Sequence, residues 1–194
     1  MGTLVEQLLV LAQLDELPEA RRVPVDLSDL AVQVAADARV MAPDRDITVD
    51  ADGALEVVGD PDALRQVLGN LMVNAVIHTT DGTPVELSVR AESPEVVIRV
   101  RDHGGGIPAG AEGHVFDRFW RAEGGRARGP GGSGLGLSIV KELVQSHHGS
   151  VRAETCADGG ALFTVRLPEA PGSSGERADL NGNSAQPVSA SAPS

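Results

Sequence analysis

Nine consecutive residues, Gly129-Pro130-Gly131-Gly132-Ser133-Gly134-Leu135-Gly136-Leu137, run out of a glycine cluster straight into an amphipathic helical pattern begun by Leu135, Leu137, Ile139 and Val140. Successive backbone N–H groups in front of a helix N-terminus form an anion site, here one for a polyphosphate. The run is not a Walker A loop, which would end in Gly-Lys-Ser/Thr. A flexible linker is the competing reading, disfavoured because the helix begins at once.

Around this run the 194 residues read as one domain with attachments. Residues 1–17 read as an amphipathic helix, with Leu4, Leu8 and Leu11 spaced as in a coiled-coil seam, and Pro18 stops it. Residues 18–22 are a linker and 23–168 the folded domain. The remainder, 169–194, reads as a disordered tail of Gly, Ser, Pro, Asn and Ala, too poor in apolar groups to offset its ordering entropy. Inside the domain the pattern is mixed α/β. A strand over 23–27 precedes a helix from the N-cap candidate Ser28 to about 41, followed by strands over 47–50 and 55–58. Asp60-Pro61-Asp62 opens a second helix with Leu64, Val67, Leu68, Leu71 and Ala75 on its apolar face. A hairpin follows (85–91 with 96–101), then a helix over 135–146. A last hairpin pairs 150–154 with 161–167 across Asp158-Gly159.

Aromatic residues make up 2% of the chain, so the core must be built from Val, Leu, Ile and Ala, and three of the four aromatics (Phe116, Phe119, Trp120) fall together. The formal charge of −12 argues against nucleic acid or an anionic membrane as main partner. It leaves nucleotide open, because ATP arrives with a divalent cation and is held by backbone groups. A lone Cys156 excludes an intrachain disulfide framework and multi-cysteine zinc patterns, and fits a reducing cytoplasm. The apolar stretch over 8–12 is hemmed in by Glu6, Gln7, Gln13, Asp15 and Glu16, so it reads as neither signal peptide nor membrane span.

Two further constellations carry chemistry. Asn70, Asn74 and His78 lie at successive i, i+4 positions, a polar stripe on a helix that is otherwise apolar. An Asn carbonyl oxygen is a neutral hard ligand suited to Mg²⁺ already held by phosphates; a solvated helix face is the alternative. Asp102-His103-Gly104-Gly105-Gly106-Ile107-Pro108 directly follows a strand. Its glycines let backbone approach a flat ligand, and its carboxylate can accept from an exocyclic amine such as adenine N6, unless this is a plain turn.

The three constellations, in this order on one small domain, closely resemble the histidine kinase family within the wider class of Bergerat-fold ATPases. Asn70-x-x-x-Asn74-Ala75 is similar to the N box and Asp102-x-Gly104-x-Gly106-Ile107-Pro108 to the first glycine box. Val115-Phe116-Asp117-Arg118-Phe119-Trp120-Arg121 is similar to the F box, and Gly132-Ser133-Gly134-Leu135-Gly136-Leu137 to the second glycine box. The resemblance covers about 23–168. It implies an α+β fold, a two-layer sandwich with helices on one face of a mixed sheet, and an ATP lid over about 109–131 whose 123–131 portion closes over nucleotide. It also implies roles. Asn74 coordinates Mg²⁺, with Asn70 assisting it or contacting phosphate, and His78 contacts nucleotide. Asp102 reads adenine in a pocket shaped by Gly104, Gly106 and Ile107, while Phe119 and Arg121 border the nucleotide. Gly132, Ser133, Gly134, Leu135, Gly136 and Leu137 cradle phosphate. Ile77 departs from the family, where Lys or Arg is common, so a phosphate contact is lost or moves to Arg118, Arg121, Arg126 or Arg128.

The family transfers the ATP γ-phosphoryl to a histidine in a His-Glu-x-x-x-Pro box on a dimeric hairpin. None of the five histidines, at 78, 103, 114, 147 and 148, has that context. The helix over 1–17 resembles the end of the hairpin's second helix. The expectation is either a fragment or one half of a split kinase, acting in the cytoplasm on a histidine-box-bearing partner chain docked through that helix, with a response regulator downstream. A gyrase-type or chaperone-type ATPase would need a general base, usually Glu, where Asn70 stands. An anti-sigma-factor-type serine kinase would normally lack the 116–121 segment and the first helix. A non-catalytic nucleotide-binding scaffold is a third reading.

Overall fold

The computed structural model describes residues 22–122 and 133–171. The helix expected over 1–17 with its Leu4, Leu8 and Leu11 seam, the linker before Arg22, the 123–131 portion of the expected lid with Arg126 and Arg128, Gly132, and the tail from 172 onward lie outside the described residues.

In chain order the elements are β1 (Val23–Asp26), α1 (Leu27–Met41), β2 (Ile47–Ala51), β3 (Glu56–Gly59), α2 (Pro61–Ile77), β4 (Val85–Glu92), β5 (Glu95–Asp102), α3 (Gly136–Ser146), β6 (Ser150–Thr155) and β7 (Ala161–Pro168). Five strands form one mixed sheet in the order β2-β4-β5-β7-β6. The β2–β4 pair is parallel and the others antiparallel. A small antiparallel β1–β3 sheet sits beside it. Beyond β7, Glu169 bridges to Val57 and the Ala170 N–H donates to the Glu56 carbonyl at 2.9 Å, tying the two sheets together. Strand alternation turns Val85, Leu87 and Val89, Val96, Ile98 and Val100, and Phe163, Val165 and Leu167 to one side. There they pack with Leu30 and Val34 of α1, Leu64, Leu68 and Leu71 of α2, and Ile139 and Leu143 of α3 in one core. The sheet thus has a helical layer on one face, as the sequence predicts.

The opposite face is rich in charged side chains, but Val97 and Leu162 also lie on it. Val97 is 0% exposed although it points away from the helices. Its register neighbours are Arg90 and Arg166, whose aliphatic stems cover it while their heads reach carboxylates. Arg166 meets Glu92 at 3.0 Å and Glu95 at 3.1 Å, and Arg90 meets Asp52 at 3.1 Å and Asp50.

The helix starts differ in a way that bears on the site. The α1 cap is Asp26, not the expected Ser28: Asp26 Oδ1 accepts from the N–H groups of Ser28 (2.8 Å), Asp29 (3.3 Å) and Leu55 (3.3 Å). Asp26 is also the last strand residue, so alternation alone hides its capping role. Ser28 is buried one position into the first turn and its hydroxyl has no hydrogen-bond partner among the described residues. In α2, Asp60 caps the N–H groups of Asp62 and Ala63, with Pro61 at the first position as expected. The N–H of Asp60 itself donates to His147 Nε2 at 3.0 Å, and the buried His147 ring donates from Nδ1 to the Leu143 carbonyl at 2.7 Å. One imidazole tautomer therefore pins the start of α2 to the end of α3.

Replacing Asp26 with Ala should lower unfolding free energy by about 1–2 kcal/mol in urea titrations. Ser28→Ala should cost nothing measurable, because it removes an unpaired buried hydroxyl. The opposite ranking would return the cap to Ser28.

Candidate functional site

The polar stripe on α2 spans roughly 12 Å from Asn70 to His78 at 1.5 Å per residue. At one end the Asn70 side chain meets the second glycine box, Nδ2 donating to the Gly136 carbonyl at 3.3 Å. A carbonyl can only accept, so Asn70 must present its NH₂ group there, and its Oδ1 is left for a cation. Asn74, half-buried one turn on, makes no side-chain hydrogen bond among the described residues. No group of three His, Cys, Asp or Glu side chains that could hold a metal ion occurs among the described residues. The donor set fits Mg²⁺ only as a partner of phosphate, with Asn74 and Asn70 supplying neutral oxygens.

Asp102 closes β5 at 4% exposure. Its Oδ1 accepts two backbone N–H groups, from Gly104 at 2.9 Å and Ala161 at 3.2 Å, and Oδ2 takes no hydrogen bond among the described residues. The second donor depends on Gly160, which has φ +84° and lies so close to β5 that an added Cβ would stand 1.9 Å from the Asp102 carbonyl oxygen. Around this carboxylate the first glycine box is squeezed from two sides. A Cβ at Gly104 would meet the Thr79 methyl at 2.6 Å, and one at Gly106 the Thr155 methyl at 2.6 Å. The Thr155 hydroxyl also bonds both the N–H (3.0 Å) and the carbonyl (3.2 Å) of Ile107, which is partly buried against the core. Thr79, Thr155, Gly160 and Ala161 pack against or bond this carboxylate and its glycine loop, contacts that the motifs do not reveal. The readable sign was the surplus glycine: Asp158-Gly159 already suffices for a hairpin turn, and Gly160 is required by something else.

At the other end, α3 begins with no side-chain cap and no acidic residue in its first turn, unlike α1 and α2 with Asp29 and Asp62. Among the described helices it alone keeps its N-terminal N–H groups open to an anion. The Ser133 hydroxyl accepts from the Leu135 N–H at 3.3 Å, and Leu135 is fully buried, which anchors the loop into the core. Gly134, at φ +73°, lies against the backbone of Phe119, and the Phe119 N–H donates to its carbonyl at 2.9 Å. The F-box aromatics diverge. Phe116 is buried edge-on against Phe163, with ring centroids 6.4 Å apart, and Trp120 packs partly on the core. Phe119 is 60% exposed. The 109–122 portion of the expected lid is thereby anchored by Val115 and Phe116. The structure brings Asn70 to Gly136 and sets His78 near Asp102 and Arg121; Gly132 is outside the described residues.

Ile77 is 47% exposed at the end of α2. Of the arginines that could replace its missing cation, Arg118 is engaged by Glu142 at 2.6 Å. Arg121 forms no ion pair among the described residues and lies near enough to act on His78. Burial lowers the His78 pKa and Arg121 lowers it further, against the pull of Asp102. A histidine depressed in the folded state costs stability as pH falls through its unfolded value of about 6.5, because only the unfolded chain takes the proton there. Wild-type protein should therefore lose more stability than His78→Tyr between about pH 7.5 and 5.5 in denaturant titrations. Gly160→Ala should destabilise by more than about 2 kcal/mol and shift the Asp102 and Ala161 amide resonances.

The family model described as histidine kinase-, DNA gyrase B-, and HSP90-like ATPase matches residues 59–171. The chain is 42% identical over 166 residues to the probable sensor histidine kinase TcrY of Mycobacterium tuberculosis, covering 85% of this chain and 35% of that protein. It is also 42% identical over 173 residues to the signal transduction histidine-protein kinase AfsQ2 of Streptomyces coelicolor, covering 88% and 31%. It thus spans about a third of the length of these curated relatives. Among solved structures, the ATP binding domain of PrrB from Mycobacterium tuberculosis is similar with a TM-score of 0.64 at 34% identity, over 77% of this chain and 98% of that one. Full-length ShkA in complex with AMPPNP gives 0.72 at 29% identity, over 87% and 35%. With its mixed sheet, its uncapped third helix and these relatives, the chain belongs to the histidine kinase-, DNA gyrase B- and HSP90-like ATPase family, and within it to the sensor histidine kinase catalytic domains.

Proposed function

We infer that this chain binds Mg-ATP in the cleft between α2, the first glycine box and the N-terminus of α3, and donates the γ-phosphoryl to a histidine carried by a partner polypeptide. That partner bears the histidine box and passes the phosphoryl to a response regulator, in the cytoplasm where ATP is available. The observation carrying the reading is the convergence of three open groups: the Asn74 amide, the second oxygen of Asp102, and the uncapped α3 N-terminus joined to Asn70.

The division of labour follows from those groups. Asp102 Oδ2 accepts from the adenine amine while Oδ1 stays tied to backbone, so the base is read by a carboxylate that cannot turn away. The α3 N–H groups and Ser133, Gly134, Leu135, Gly136 and Leu137 hold phosphate, and Arg121 supplies the cation that Ile77 does not. Asn74 and Asn70 would hold the magnesium ion, which neutralises phosphate charge and aligns the transferred group. Positioning of this kind needs no general base from this chain, consistent with Asn at position 70.

The acceptor lies elsewhere because each histidine here is otherwise engaged. His103 pairs with Glu86 at 2.7 Å and His114 with Asp117 at 2.9 Å. His147 is the buried α2–α3 pin, His148 Nε2 contacts Arg22 at 3.1 Å, and His78 lines the cleft. None is followed by Glu.

With labelled ATP and a dimeric hairpin bearing a His-Glu-x-x-x-Pro box, acid-labile, base-stable label should appear on the hairpin and not on this chain. Asn74→Ala should slow that transfer by about a hundredfold or more. Robust phosphohistidine on the isolated chain would refute action on a partner. ATP binding without transfer to any hairpin, unaltered by Asn74→Ala, would favour a scaffold.

A further inference from the structure

Arg45 sits in the loop over 42–46 between α1 and β2, yet its side chain is only 4% exposed. A loop arginine is ordinarily solvated. This one is inserted beneath the end of α2, where Nη2 donates to the carbonyls of Val76 at 2.8 Å and Thr79 at 3.1 Å. Its Nη1 donates to the Thr83 carbonyl at 3.3 Å and to the Thr79 hydroxyl. The carboxylate that approaches it, Asp81, is 3.9 Å away and fully exposed. No basic residue stands in the last turn of α2, so the partial negative charge of that terminus is met by a cation from another part of the chain. Burying a guanidinium against neutral carbonyls is a costly way to close a loop. What it secures is the placement of Thr79.

The Thr79 hydroxyl donates to the Ala75 carbonyl at 2.7 Å while accepting from Arg45. With both its donor and acceptor roles used, the side chain has one rotamer, and that rotamer turns the methyl group onto Gly104. Thr79 directly follows His78, and Gly104 is two residues past Asp102 and bonded to it. The Arg45–Thr79–Gly104 chain therefore fixes the distance between the end of α2 and the carboxylate that reads the base.

We propose that Arg45 is a positioning residue for nucleotide recognition, which through Thr79 sets the width of the base end of the cleft and so the preference for adenine over guanine. The proposal rests on the nucleotide-binding reading above. It goes beyond it by assigning base selectivity to a side chain that does not itself face the cleft.

Calorimetric titration of the full 194-residue chain with Mg-ADP and Mg-GDP, well below every melting temperature, separates the two. If the wild type binds neither nucleotide, the nucleotide-binding reading fails and Arg45 with it. If the wild type prefers ADP, Arg45→Met should weaken ADP roughly tenfold and GDP much less, narrowing the selectivity, and Arg45→Lys should restore part of both. Thr79→Val keeps the methyl contact but deletes the hydroxyl. It should shift selectivity in the same direction, with no further loss in the double variant, and it carries the test should Arg45→Met not fold. Variants that melt earlier but keep wild-type ADP affinity and the wild-type ADP-to-GDP ratio would overturn the proposal and leave Arg45 as a helix cap alone.

Discussion

Asp102 ends a central strand inside the protein, and a carboxylate there must be satisfied by donors that cannot swing away. Both donors to its Oδ1 are backbone N–H groups, from Gly104 on its own loop and Ala161 on the adjacent strand. Meeting that requirement brings the β6–β7 turn against the end of β5, which only glycine at 160 permits. It also folds the glycine loop back on itself until Gly104 and Gly106 lie against threonine methyls from the segment just past α2 and from β6. Much of the local structure around the first glycine box follows from this one condition. The carboxylate keeps its second oxygen because the first is already doubly used.

The start of α3 rests on a different device. Three helices among the described residues pack on the sheet, and two have aspartate caps at their starts. Capping consumes the N–H groups that would otherwise draw an anion, so the uncapped α3 is distinguished by what its sequence lacks. Its N-terminus is set relative to α2 by Asn70 and its C-terminus by His147, so the two helices are fixed to each other at both ends. Either bond alone would leave the pair free to pivot.

Most of this architecture was legible in the sequence because periodicity and punctuation agreed. Alternating valines in β4 and β5, Pro61 behind Asp60, and Asp158-Gly159 between apolar runs each identify an element to within a residue or two. The glycine boxes and the asparagine stripe were legible as spacing. What escaped was of another kind. Asp26 reads as a strand residue because the strand and the cap share it. Arg45 reads as a surface charge because nothing local says that a helix end thirty residues later lacks a cation. Thr79 and Thr155 are ordinary residues whose importance lies in which glycine their methyl groups meet, and such meetings depend on contacts between segments far apart in the chain.

A sheet with helices on one side only leaves its other side to water, and β5, central in this sheet, carries Val97 there. The cover it receives is one side chain thick: two arginine stems lie across the valine and are held down by glutamates and aspartates. Carbon chains from charged residues thus perform the service that a third layer of structure provides elsewhere. The domain thereby keeps the valine of its central strand fully shielded on a face that is otherwise rich in charge.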